Sequence, residues 1–160
     1  MTRIQYVTGD ATDPIGDGPK VIAHIVNDVG AWGAGFAKAL SARWKEPEQD
    51  YREWWLHQGL YQNVPFELGN VRFTMAGAIW VASMIAQHGL IGYSNPHPIR
   101  YDALARALGR VGGFAKERQA SVHMPRIGCG LAGGTWDRVE PILAEELCGR
   151  GVPVTVYDLA

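Results

Sequence analysis

Two glycine-rich stretches carry the chemistry that is legible in this sequence. The first, NDVGAWGAGFAKAL over residues 27–40, follows the apolar run VIAHIV and leads into a helical pattern. Its Gly30, Gly33 and Gly35 alternate with the small Ala31 and Ala34. Glycine lets a backbone approach a ligand with no Cβ in the way and adopt positive φ. Amides at the start of the helix that follows are unpaired donors with partial positive charge. Such a loop suits a phosphate, although taken alone it reads equally well as an ordinary glycine turn. It is neither a Walker loop, since no Gly-Lys-Ser/Thr follows, nor a dinucleotide fingerprint with its acid at the end of the next strand. The second stretch, MPRIGCGLAGGTW over 124–136, places Gly128, Gly130, Gly133 and Gly134 within seven positions, again between a strand and a helix. Successive amides in such loops make concave nests that bind diphosphate without a charged side chain. Two of them in one chain point to a diphosphate-bearing nucleotide.

The remaining polar residues are individually weaker signals. Asp10 is an acceptor-only carboxylate that could face a ligand donor, or simply close a turn after Gly9. Asp28 reads as a loop aspartate capping its own turn. In ASMIAQHGL, Gln87 is polar at the end of an apolar run, and His88 beside it carries an imidazole, a common acid–base group. The five histidines are scattered singly, the pattern of ordinary surface or loop residues. Cys129 invites a nucleophile reading, but no histidine stands beside it, and a small soft residue in a glycine loop is more simply steric. The two cysteines cannot build a disulfide framework or fill a zinc site, and no pair of histidines or acids shows ligand spacing. Neither a metal nor a cofactor is expected.

Elements that could position these loops follow from the pattern. Strands are expected over 3–8, 21–26, 69–75, 79–85, 121–126 and 152–158, each short, β-branched or aromatic, and bounded by turn residues. Ala76 and Gly77 suit a tight hairpin, which makes one pair antiparallel. Helical stripes run through Phe36, Leu40 and Trp44, and through Tyr51, Trp54, Trp55 and Gln58 behind Pro47. Two more run through Tyr101, Leu104, Leu108, Val111 and Ala115, and through Trp136, Val139, Leu143 and Leu147. The Tyr51 stripe reads as core. Thr135 is the expected N-cap of the last helix, and Pro141 should separate or kink its first turn. Alternating strands and helices with one hairpin imply a mixed sheet covered on both faces, with ligands outside the carboxyl ends of the strands.

Composition narrows the class further. The 160 residues make one domain, with 47% hydrophobic and 19% charged residues, which excludes general disorder. A net charge of -1 argues against a polybasic nucleic-acid module or a membrane-surface protein. Arg43, Lys45, Arg52 and Arg100 are too dispersed to form a basic track. No signal peptide or membrane span is evident, so the cytoplasm and no membrane partner are the expectation, and the small size with no apolar heptad or exposed strip makes a monomer the expected state.

Taken together, YVTGDAT, NDVGAWGAGFAKAL, MPRIGCGLAGG and VTVYDL, in this order over nearly the whole chain, resemble the macrodomain family. The nearest branch is that of the terminal ADP-ribose glycohydrolases. The resemblance implies a three-layer α/β/α sandwich with a mixed central sheet of about six strands, forming a single macrodomain over 1–160. It also implies ADP-ribose, free or attached to a protein or DNA, as the partner. Asp10 would then accept from the adenine amino group, Ala11 would complete that contact, and Tyr157 could line the adenine pocket. Asn27 would bind the distal ribose, with Asp28 beside it. Trp32, Gly33, Ala34, Gly35 and Phe36 would wrap the diphosphate and that ribose. Ile127, Gly128, Cys129, Gly130, Leu131, Ala132 and Gly133 would bind the other side of the diphosphate. The branch's attacking lysine and assisting aspartate are missing: the corresponding positions hold Gln87 and His88, and Ala132. A glutamine amide cannot form a Schiff base. Two readings follow. One is a hydrolase acting on acidic side chains or DNA bases by water attack, with Gln87, and less directly His88, at the reactive end. The other is a non-catalytic ADP-ribose reader. A phosphatase acting on ADP-ribose 1″-phosphate would fit the same pocket.

Overall fold

The computed structural model describes residues 1–159. Six strands form one sheet: β1 (Ile4–Thr8), β2 (Lys20–Asn27), β3 (Val71–Ala76), β4 (Ile79–Gln87), β5 (Ser121–Pro125) and β6 (Val154–Asp158). Their order is β1-β6-β5-β2-β4-β3, all parallel except the β3–β4 hairpin. Four helices accompany them: α1 (Phe36–Ser41), α2 (Glu46–Leu56), α3 (Tyr101–Arg118) and α4 (Trp136–Glu146).

The central strands explain why their sequences are apolar without alternation. In β2, Val21 and Ala23 join a core with Leu104, Leu108 and Val111 of α3 and Val139 and Leu143 of α4. Ile22 and Val26 point the other way, toward Leu40 of α1 and Tyr51 and Trp54 of α2. β4 divides likewise, Ala82, Met84 and Ala86 against Val81 and Ile85. A strand buried on both faces reads as a continuous apolar run. The result is the expected three-layer α/β/α sandwich.

Chain direction then places the site. From β2 the chain runs through α1 and α2 to β3 and β4 on one side, whereas β5 leads through α4 to β6 on the other. β2 and β5 are therefore neighbours at a switch point, where an open α/β sheet leaves a crevice beyond the carboxyl ends of its strands. Asn27, Gln87 and Pro125 end the three strands that border it.

Several local features differ from the sequence expectations. α1 stops at Ser41, and Trp44 lies beyond it, packed against the Ile22, Leu40, Ala76 and Val81 cluster. Pro47 stands in the first turn of α2, where its missing N–H is one that a helix start leaves unpaired in any case. α2 ends at Leu56, and Gln58 has φ 51°, outside the helix. Tyr51 and Trp54 are fully buried as expected, but Trp55 is 40% exposed. The hairpin turns on Gly77 and Ala78, since Ala76 still pairs with Ile79. Thr135 occupies the N-cap position of α4 without a side-chain capping bond. Pro141 sits inside a continuous α4 with no separate first turn. Its missing N–H leaves unpaired only the carbonyl of exposed Asp137, which water can serve.

Candidate functional site

A cleft of about 640 Å³ opens beyond the ends of β2, β4 and β5. One wall is the loop after β2, and the other is the loop between β5 and α4. They approach each other where the Leu131 side chain lies over Gly35, a Cβ there falling 3.4 Å from Leu131 Cδ1.

Asn27 organises the first wall. Its Oδ1 accepts the amides of Val29 (3.0 Å) and Ala31 (3.1 Å), and its Nδ2 donates to Ala31 O at 2.7 Å. The Tyr51 hydroxyl lies 2.7 Å from Asn27 O and 2.8 Å from Oδ1, sharing its hydrogen between them. Arg52 donates to Trp32 O at 3.3 Å, and the Trp32 indole donates to Ser41 Oγ at 2.7 Å. The Trp55 ring covers the Cα of Gly30 (φ 77°), where any Cβ would collide with it. With this loop pinned from behind, the amides of Trp32, Gly33, Ala34, Gly35 and Phe36 donate to no protein acceptor among the described residues.

In the second wall, Gly133 N donates to Gly130 O (3.0 Å) and Gly134 N to Gly128 O (2.7 Å), so the loop closes on itself. Five consecutive amides, Gly128 to Ala132, have no acceptor among the described residues. Gly128 has φ 80°, and a Cβ there would sit 2.7 Å from Ile99 Cδ1. Cys129 is partly buried, and burial pushes its thiol up, which disfavours a thiolate nucleophile.

The cleft brings together Asn27, Trp32, Gly33, Ala34, Gly35, Phe36, Gln87, Ile127, Gly128, Gly130, Leu131 and Ala132. Asp10, Ala11, Asp28, His88, Cys129, Gly133 and Tyr157 do not line it. Asp10 Oδ1 accepts both the amide and the hydroxyl of Thr12, each at 2.8 Å, and these bonds hold its carboxyl below the usual range. Tyr157 is buried, its hydroxyl accepting the Ile15 amide at 2.9 Å and lying 2.7 Å from His123 Nδ1. It thereby pins the segment that follows Asp10. Asp28 is bonded to His88 Nδ1 at 2.6 Å and to the Gly89 amide at 2.8 Å. Gln87 is 7% exposed and donates from Nε2 to Gly89 O at 3.2 Å. Its Oε1 has no partner among the described residues.

Sequence reasoning passed over His24, Leu90, Ile91 and Arg126, all of which line the cleft. His24 is 2% exposed and bonded through Nε2 to Ser83 Oγ at 2.9 Å. Trp32 and Phe36 pack on its ring. Burial lowers its pKa to about 3, so the imidazole is neutral. Its signal was visible: one polar residue within the apolar run VIAHIV. Among the described residues no group of three or more His, Cys, Asp or Glu could hold a metal. No described helix is long and apolar enough to cross a membrane.

No family model matches the chain. A solved macrodomain protein from Streptomyces coelicolor is 51% identical, with a TM-score of 0.85, over 98% of this chain and 99% of that one. The mouse chromodomain-helicase-DNA-binding protein 1-like is 33% identical over 165 residues, covering 98% of this chain and 18% of the relative. The chain thus spans less than a fifth of the length of the curated relatives it matches. A Thermosipho africanus DarTG structure in complex with ADP-ribose has a TM-score of 0.75 at 18% identity, over 100% of this chain and 42% of that one, a likeness of fold.

Proposed function

The chain belongs to the macrodomain family, and from that footing we propose that it binds ADP-ribose in this cleft and hydrolyses the bond at the distal ribose anomeric carbon. The acceptors would be acidic protein side chains or DNA bases. The observation that carries the reading is the pair of unpartnered amide runs, Trp32 to Phe36 and Gly128 to Ala132, on opposite walls of one cleft. Between them a diphosphate finds donors on both sides with no lysine required. A fold neighbour with ADP-ribose bound supports the choice of ligand.

The chemistry follows from what stands at the strand ends. Cleavage at an anomeric carbon passes through an oxocarbenium-like state, which a held water and a nearby anion serve. The bound diphosphate supplies the anion. Gln87 Oε1, unpartnered at the cleft wall, accepts a hydrogen bond from the water and aims it. Neither a lysine nor an acid stands at that wall: Gln87 and Ala132 occupy the two positions. A Schiff-base route is therefore not part of the proposal.

Incubation with protein carrying Glu- or Asp-linked ADP-ribose, and separately with ADP-ribosylated DNA, tests it by product release. Turnover that falls at least tenfold in Gln87→Ala, with ADP-ribose affinity kept, is expected. Unchanged turnover in that variant removes Gln87 from the mechanism. Binding without turnover on any linkage contradicts the hydrolase and leaves a reader. Phosphate release from ADP-ribose 1″-phosphate alone would make the protein a phosphatase.

A further inference from the structure

We propose that Asp28 and His88 form a proton-donating dyad at the mouth of the cleft, with His88 protonating the departing acceptor; this rests on the hydrolase reading above. Asp28 Oδ2 lies 2.6 Å from His88 Nδ1, while Oδ1 accepts the Gly89 amide at 2.8 Å. The Asp28 amide in turn donates to Gln87 O at 3.0 Å. The carboxylate is thus fixed to the chain that immediately follows Gln87. A carboxylate only accepts, so Nδ1 carries its hydrogen toward Asp28 and the ring's orientation is set. The Asp28 side chain is 16% exposed and that of His88 61%, which leaves Nε2 on the open side of the pair.

Position gives the dyad its role. Gln87 before it and Leu90 and Ile91 after it line the cleft, while His88 itself stands outside the lining. ADP-ribose enters the cleft, but an acceptor that belongs to a macromolecule stays outside. The leaving atom is therefore at the mouth, and a group that protonates it must be exposed there. An amide on the wall cannot do this, whereas a protonated imidazole can.

The step balances. The bond from the anomeric carbon to the leaving atom breaks, and its electron pair stays with that atom, which takes the Nε2 proton of His88. Water oxygen bonds to the carbon and loses a proton to solvent, from which His88 is reprotonated. A carboxylate, with a pKa near 4, departs without help, so a proton donor matters only for a more basic leaving atom. Of the two linkages considered, the dyad therefore favours the nucleobase.

The test compares wild type, His88→Gln and Asp28→Asn on ADP-ribosylated DNA and on aryl ADP-ribosides running from nitrophenol to phenol. ADP-ribose affinity serves as the folding control. His88→Gln is expected to stay within about threefold of wild type on the nitrophenyl substrate and to fall roughly a hundredfold on the phenyl substrate and on DNA. Asp28→Asn should follow the same trend, because the imidazole loses its orienting acceptor. An equal fall across the series, or none on DNA, overturns the dyad. So does wild-type turnover confined to carboxylate linkages. A wild type inert on every substrate contradicts the hydrolase itself.

Discussion

Gly128 shows how a single residue governs the second wall. Its φ of 80° suits glycine, and any Cβ would meet Ile99 Cδ1 at 2.7 Å. Gly128→Ala should strain the backbone that presents five amides and push Ile99 aside. We expect ADP-ribose affinity to fall by about tenfold or more, read by calorimetry, with a lower melting temperature. Unchanged affinity would mean that the loop's conformation does not matter to binding. Glycine positions such as this were legible, because a residue type with one physical advantage clustered at two places. The Asp28–His88 pair was not. Its partners are sixty positions apart in sequence and meet only because β2 and β4 are adjacent. Asp10 was read in two ways, and in the structure its Oδ1 is bonded to Thr12.

At the scale of elements, α2 holds the first wall. Tyr51, Arg52 and Trp55 project from one short stretch onto Asn27, Trp32 and Gly30. Tyr51→Phe removes the hydroxyl but keeps the ring in the core. It should cost about 1–3 kcal/mol of stability by urea unfolding, since Asn27 loses a buried partner. ADP-ribose binding should weaken in the same variant as the Trp32 to Phe36 amides lose their support. Stability loss with unaltered binding would separate the helix from the site. The sequence stripe marked Tyr51 and Trp54 as buried. Trp55, in the same stripe, reads as core too, but it leans on the Gly30 loop and stays partly exposed, a contact with no periodic signature. The α1 stripe likewise runs on to Trp44, which packs on the Leu40 cluster from beyond the end of the helix at Ser41.

For the molecule as a whole, acid is the predicted weakness. His24 and His123 are buried, and burial lowers their pKa values to about 3 and about 4. Unfolding returns both to about 6.5, so below that pH the unfolded chain binds more protons and stability falls as pH drops. At pH 5.5 the pair should cost about 3 kcal/mol relative to neutral pH, with further loss down to about pH 4. His24→Gln should flatten the stability profile between pH 6.5 and 4, measured by thermal melts. A profile as steep as wild type would show that His24 is not held neutral. This cost sits beside the cleft, and the sequence hinted at it only through polar residues inside apolar strands. Strand positions were readable for the same reason, whereas strand order, and with it the crevice between β2 and β5, required the structure.

The central claim is that main-chain amides on two facing walls grip a diphosphate. Titrating ADP-ribose into ¹⁵N-labelled protein and following amide resonances tests it most directly. The amides of Trp32 to Phe36 and of Gly128 to Ala132 should shift together and saturate at one ligand per chain. No binding, or shifts confined to residues away from both loops, would contradict the account.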